Sequence, residues 1–210
     1  MFTGLVTAVA TIASVAPLGP DPSHGKRLVL RVDPSWIQGV QPGDSIAVSG
    51  ACMTVVTVRA DGFDIDVSAE SLARTTGLDR AGSQVNLEQS LTLQTKLGGH
   101  LVTGHVDGIG RVAAFAPVGE SWRLQIDVPA ALARFFAYKG SIVVNGVSLT
   151  VNAVDDRDDG SRVSINLIPH TLQHTNLHAL RPGDGVNLEI DLIARYVERM
   201  LHADAPVVSA

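Results

Sequence analysis

Cysteine is almost absent: Cys52 is the only one in 210 residues. No intrachain disulfide can form, so the chain suits a reducing compartment, with the cytoplasm as the expected location. Aromatic residues make up 4% and the net charge is −5, with no basic run anywhere. A nucleic-acid partner would need a basic footprint, so that class is excluded. No apolar stretch approaches the length of a membrane span, which argues against a membrane partner. Residues 1–19 are apolar, but they lack a basic leader region and carry Gly, Pro and Thr. They read as a strand and not as a secretion signal. What is present is globular in character: 45% hydrophobic and 18% charged residues.

The chain repeats itself. Ser45-Ile-Ala-Val-Ser-Gly-Ala-Cys-Met-Thr-Val55 aligns with Ser141-Ile-Val-Val-Asn-Gly-Val-Ser-Leu-Thr-Val151 at an offset of 96. Arg27-Leu28 meets Arg123-Leu124 at the same offset. Downstream, Ser71-Leu72 and Thr75 meet Thr171-Leu172 and Thr175 at 100, and Val85-Asn-Leu-Glu88 meets Val186-Asn-Leu-Glu189 at 101. Thr3-Gly4-Leu5-Val6 recurs as Thr103-Gly104-His105-Val106. The offset shifts only in turn-rich stretches such as 155–161, where insertions are tolerated. The expected units are residues 1–97, 98–190, a helix over 191–203 and a frayed tail over 204–210.

Within each copy the apolar runs are short and β-rich: Leu28–Val32, Ser45–Val48, Cys52–Val58, Phe63–Val67 and Val85–Leu87. Pro42-Gly43-Asp44, Asp61-Gly62 and Pro182-Gly183-Asp184 punctuate them. About six strands per hundred residues predicts a small antiparallel barrel in each copy. Short helical segments are expected at 35–38 and 130–136, with helical turns after Ser68 and Pro169. The segment from Asp191 to His202 has no counterpart in the first copy. Leu192, Ile193, Tyr196, Val197, Met200 and Leu201 recur at helix spacing, and Asp191 can cap the start.

A duplicated module makes two like pockets, so the mismatches carry information. Cys52 faces Ser148, Leu5 faces His105, Gly43 faces Lys139, Asp66 faces Asn166, Glu70 faces His170 and Ser90 faces Asp191. Most groups able to move protons sit in the second copy, while the thiol sits in the first. Each has a plainer reading: a lone cysteine is often a small buried hydrophobe, Lys139 fits a surface turn, and Asp66 and Glu70 fit a solvated face. His100 and His105 lie five apart without a cysteine or carboxylate cluster, which is not a metal site.

Taken together, several segments resemble the riboflavin synthase alpha-chain family over nearly the whole length. These are Met1-Phe-Thr-Gly-Leu-Val6, the pair Gly50-x-Cys-x-Thr-Val55 and Gly146-x-Ser-Leu-Thr-Val151, Gly98-Gly-His-Leu-Val-x-Gly-His-Val106, Tyr138-Lys-Gly140 and Val186-Asn-Leu-Glu-Ile-Asp191. The resemblance implies an all-β fold: a tandem duplication of two six-stranded Greek-key β-barrels followed by a C-terminal α-helix. It also implies a homotrimer built around that helix. The implied reaction passes a four-carbon unit between two molecules of 6,7-dimethyl-8-ribityllumazine, without a metal or separate redox cofactor. An association with lumazine synthase is left open.

Carried onto this sequence, the family's first pocket would comprise Gly4, Leu5 and Val6, Cys52, Met53 and Thr54, and Asp66, Val67, Ser68, Ala69, Glu70 and Ser71. The second would comprise Gly104, His105 and Val106, Lys139, Ser148, Leu149 and Thr150, and Ile168, Pro169, His170, Thr171, Leu172 and Gln173. His105, Ser148, Cys52, Lys139 and Asp191 are the expected catalytic groups. His105 would handle a proton and Lys139 would stabilise negative charge. Which nucleophile adds to the ring, and which pocket donates the four carbons, stay open. Two positions depart from the family pattern: Ser49-Gly50 stands where Asn-Gly is common, and Asn145-Gly146 where Asp-Gly is common. A lumazine-holding optical antenna is the rival from the same fold. A flavin reductase barrel would need a nicotinamide-binding domain for which two barrels leave no room.

Overall fold

The computed structural model describes residues 1–21 and 23–202; residues 203–210, which include the expected frayed tail, lie outside them. Among the described residues, twelve strands form two closed barrels. In the first, β1 (Ala8–Pro17), β2 (Lys26–Arg31), β3 (Ser45–Val48), β4 (Ala51–Arg59), β5 (Gly62–Val67) and β6 (Gln84–Gln89) close in the cyclic order β1-β2-β5-β4-β3-β6. The second takes the same order with β7 (Gly108–Val118), β8 (Ser121–Pro129), β9 (Ser141–Val144), β10 (Val147–Arg157), β11 (Gly160–Leu167) and β12 (Gly185–Ile190). Every named pairing is antiparallel.

Alternation along the strands sends one face inward, and each barrel encloses its own core. Leu28, Leu30, Ile46, Phe63, Ile65 and Leu87 fill the first; Leu124, Ile126, Ile142, Ile165 and Leu188 fill the second. Register shifts recur at equivalent places: Ile12/Ser14 and Val112/Ala114, then Val55/Thr57 and Val151/Ala153. One extra residue there bends each long strand far enough to serve a closed barrel.

The helices are short: α1 (Ala69–Arg74), α2 (Ala130–Ala133) and α3 (Pro169–His174), then α4 (Leu192–Leu201). Three expectations need correction. Residues 35–38 form turns and no helix, because Asp33 accepts from both the amide and the hydroxyl of Ser35 and holds the chain in a side-chain turn. The helix expected over 130–136 stops at Ala133, since Phe136 turns into the second core. Residues 1–7 are not a strand; β1 begins at Ala8, because the amides of Thr3 and Gly4 go to a side chain of β6 instead of a ladder.

The barrels are joined by reciprocal asparagines. Asn86 Nδ2 donates to Asn145 O (2.8 Å) and Asn176 Oδ1 (2.9 Å), and its Oδ1 accepts from Asn176 N (2.7 Å). Asn187 answers from the other barrel: Nδ2 donates to Ser49 O (3.0 Å) and Oδ1 accepts from Thr76 N (2.7 Å). The two hairpin tips these asparagines reach are Ser49-Gly50 (φ 43° and 87°) and Asn145-Gly146 (φ 47° and 83°). They touch tip to tip. A Cβ on Gly50 would sit 2.9 Å from Gly146 N, and one on Gly146 would sit 2.8 Å from Gly50 N. The family departures noted above therefore stand at the junction.

Positive φ suits asparagine better than serine. Asn145 Oδ1 also accepts from Asn187 N at 2.8 Å, whereas Ser49 Oγ accepts from Asn86 N at 3.2 Å. Ser49→Asn is therefore expected to stabilise the protein by about 0.5–1 kcal/mol. A rise in the denaturant midpoint checks this, and a fall would overturn it.

Candidate active site

The segments preceding the two barrels run against each other across the seam. Phe2 N donates to Val102 O (2.8 Å), Val102 N to Phe2 O (3.1 Å) and His100 N to Thr3 O (3.2 Å). Each segment is clamped by a buried carboxylate from the barrel that follows it. Glu88 accepts from Thr3 N (2.7 Å), Thr3 Oγ1 (2.6 Å) and Gly4 N (2.9 Å). Glu189 repeats the pattern with Thr103 N (2.6 Å), Thr103 Oγ1 (2.7 Å) and Gly104 N (3.0 Å). Burial pushes both carboxyls above their ordinary range, and the donated hydrogen bonds oppose that shift.

The carbonyl side of each segment turns the other way, onto the opposite barrel. Cys52 N donates to Gly104 O (2.7 Å), and Ser148 N donates to Gly4 O (2.8 Å). The approach is so close that only glycine fits. A Cβ on Gly104 would lie 2.7 Å from Cys52 Cβ, and one on Gly4 would lie 2.5 Å from Ser148 Cβ. Val106 packs on the first core and Val6 on the second.

This corrects the grouping expected from sequence. Gly4, Leu5 and Val6 do not join Cys52; they belong beside Ser148. Gly104, His105 and Val106 join Cys52, Met53, Glu70, Ser71, Arg74 and Thr75 around a cavity of about 290 Å³. The cause is the pair of carboxylate clamps, which hold the amide edge of each segment on one barrel and leave its carbonyl edge for the other.

Other expected residues are placed as follows. Cys52 is half-buried and free. Thr54, Thr150, His105, Glu70 and Gln173 are exposed. Met53 and Val67 are buried in the first core, and Leu149 and Leu172 pack on the second, so their side chains fill barrels. Asp66 is held by Arg27 through two bonds (2.7 and 2.8 Å), which keeps its carboxyl below the ordinary range. Ser68 caps α1 by accepting from Ser71 N (3.0 Å), and Ala69 opens that helix. Ile168 precedes α3 without a capping side-chain bond, Pro169 opens the helix, and Thr171 O accepts from Thr175 Oγ1. His170 stacks on His174 with ring centroids 4.1 Å apart. Lys139 is exposed at φ 62°, donates to Asn152 Oδ1 (3.3 Å), and is not in the wall of the Cys52 cavity. Asp191 caps α4 by accepting from Ile193 N (2.8 Å).

One residue was missed. His100 Nδ1 is 2.7 Å from Ser148 Oγ, and its Nε2 is buried with no hydrogen-bond partner among the described residues. Burial pushes its pKa below the ordinary value, with the charge of Asp191 opposing. The imidazole is therefore neutral near pH 7 and can share a proton with Ser148. The available signal was that His100 lies just ahead of the repeated Thr3/Thr103 segment, in the Gly98-Gly99-His100 run.

Two closed barrels of the same strand order, each reached by a glycine segment from the other, define a duplicated barrel protein. The family model described as Lumazine binding domain matches residues 3–90 and again 103–191. The chain is 42% identical over 208 residues to the riboflavin synthase of Mycobacterium tuberculosis (strain ATCC 25618 / H37Rv), covering 97% of this chain and 99% of that protein. It is 38% identical over 207 residues to that of Photobacterium phosphoreum, covering 98% and 91%. It is 35% identical over 203 residues to that of Bacillus subtilis (strain 168), covering 96% and 90%. Among solved structures, LumP complexed with 6,7-dimethyl-8-(1'-D-ribityl) lumazine superposes with a TM-score of 0.77 at 25% identity, covering 90% of this chain and 99% of that one. LumP complexed with riboflavin gives 0.78 at 26% identity, with the same coverages. The chain belongs to the riboflavin synthase family.

The half-buried, neutral His100 sets a pH dependence. The unfolded chain protonates this histidine at its ordinary value, while the folded chain resists. Stability is thus present above the ordinary histidine value and lost as pH falls through it toward the depressed folded value. His100→Gln is expected to flatten that acid-side loss in denaturant unfolding compared at about pH 7.5 and about pH 5.5. Parallel losses in the two proteins would count against the assignment.

Proposed function

We propose that this chain converts two molecules of 6,7-dimethyl-8-ribityllumazine into riboflavin and 5-amino-6-ribitylamino-2,4(1H,3H)-pyrimidinedione by transfer of a four-carbon unit. The carrying observation is the pair of half-sites at Cys52 and Ser148, each completed by a glycine segment from across the seam. A reaction between two identical molecules calls for two like pockets, and holding the pair in contact supplies much of the rate. The strand edges and Thr54 and Thr150 are suited to the amide-like edge of the ring. Polar groups on α1 and α3 are suited to the ribityl hydroxyls.

The half-sites then divide the work. Ser148 with the neutral His100 is equipped to accept a proton from a lumazine methyl group, and His105 stands at the Cys52 cavity as a second proton handler. Neither step calls for a metal or a redox cofactor. The neighbouring LumP structures hold lumazine and riboflavin, which supports a ring ligand and also motivates the antenna alternative.

The expected assembly is a homotrimer. Arg134 pairs with Glu198 (2.5 Å) and Arg195 with Asp107 (2.7 Å), so α4 is tied down by its polar side. Ile193, Tyr196, Val197, Met200 and Leu201 are left exposed. That stripe suits the same helix of two further copies. No helix of the described residues is long and apolar enough to cross a membrane, and the cytoplasm remains the proposed location.

Mixing the purified protein with the lumazine alone is expected to yield riboflavin, read by its fluorescence. Tight binding without riboflavin would make the protein an antenna. In the same assay Ser148→Ala is expected to cost at least about tenfold more activity than Ser141→Ala, because Ser141 has an equivalent in Ser45 and no site partner. Equal rates would remove Ser148 from the mechanism. Met200→Glu is expected to break the trimer and lower turnover about tenfold or more. An intact trimer by light scattering would overturn the role of the α4 stripe.

A further inference from the structure

A second cavity opens where the two barrels meet, beside the asparagine junction, and shares no lining residue with the Cys52 cavity. Its volume is about 520 Å³, larger than the Cys52 cavity. Residues from both modules line it, and no aromatic ring is among them. A flat pteridine therefore has nothing to stack on. The polar members include Arg80, Ser83 and Gln84 from the first module and Asn176 and Asp184 from the second.

The cavity is unlike on its two sides. Ser83 and Asp184 are equivalent positions, with the repeat offset of 101, so one wall is neutral where the other carries a carboxylate. Arg80 stands on the neutral side. Among the described residues it forms no ion pair and no side-chain hydrogen bond, although Asp184 lines the same cavity. Asp184 Oδ2 caps its own turn by accepting from Arg181 N (2.8 Å) and leaves Oδ1 available. The wall between them is rigid: Asn176 Nδ2 donates to Gln84 O (3.0 Å), and Asn176 Oδ1 accepts from Asn86 Nδ2 (2.9 Å).

We propose that this junction cavity binds a small sugar phosphate. The guanidinium of Arg80 takes the phosphate through paired N–H donors. Ser83 and Gln84 flank it, and the free oxygen of Asp184 accepts from sugar hydroxyls at the other end. A bare anion uses only the Arg80 end, and an uncharged sugar only the Asp184 end. Occupancy bridges the two modules and so stabilises their junction.

The test uses the full chain saturated with riboflavin, so that the ring half-sites are filled, and titrates ribose 5-phosphate by calorimetry and ³¹P line broadening. Binding is expected, accompanied by a rise in melting temperature. Arg80→Gln is expected to weaken it about tenfold while riboflavin formation stays unchanged, which shows the variant is folded. Asp184→Asn is expected to weaken ribose 5-phosphate and leave inorganic phosphate unaffected. The proposal fails if riboflavin displaces the sugar phosphate, if inorganic phosphate binds as tightly, or if Arg80→Gln binds like the unaltered chain.

Discussion

Glu88 and Glu189 each take three hydrogen bonds from the segment that leads into their own barrel. Burying a carboxylate is costly unless its oxygens are satisfied, and these are satisfied by two backbone amides and a threonine hydroxyl each. Everything at the seam depends on this clamp. With the amide edges of 3–4 and 103–104 held, the carbonyls of Gly4 and Gly104 can only face outward, onto the opposite barrel. That exchange puts Val6 in the second core and Val106 in the first. It also makes the Cys52 cavity a product of both modules, since Gly104, His105 and Val106 complete its wall.

The clamp also fixes where the near-symmetry is kept and where it is broken. The clamps, the glycine approaches and the hairpin tips recur closely in both modules. The groups with chemistry do not. Cys52 stands beside an exposed His105, while Ser148 is bonded to a half-buried His100. On the flanking helices, Glu70 and Arg74 are replaced at equivalent positions by the stacked His170 and His174. A shared scaffold thus carries different proton inventories in its two copies, which suits the proposed reaction, in which two identical molecules must play different parts.

The asparagine junction serves a different end from the seam clamps. Asn86 and Asn187 are both about 1% exposed, and each spends its side-chain amide on the other barrel's backbone. Such satisfied polar contacts specify one mutual orientation where an apolar interface would tolerate sliding. Ser49 is the weak member, since it holds a positive φ without the side chain best suited to it. The same rigid junction forms the floor of the polar cavity at Arg80.

Sequence by itself determined the duplication, the strand inventory of each copy, the Asp191 cap and the apolar stripe of α4. These rest on local periodicity and turn chemistry, which neighbouring residues express directly. The short helices at 35–38 and 130–136 were misjudged because a side-chain turn at Asp33 and the burial of Phe136 override local preference. Only the tertiary structure decided which glycine segment completes which pocket, since that follows from hydrogen bonds spanning 84 to 86 positions. It alone also paired His100 with Ser148 across 48 positions. Motif spacing records what each module contains, but a carboxylate clamp between a strand and a distant leading segment decides which module uses it.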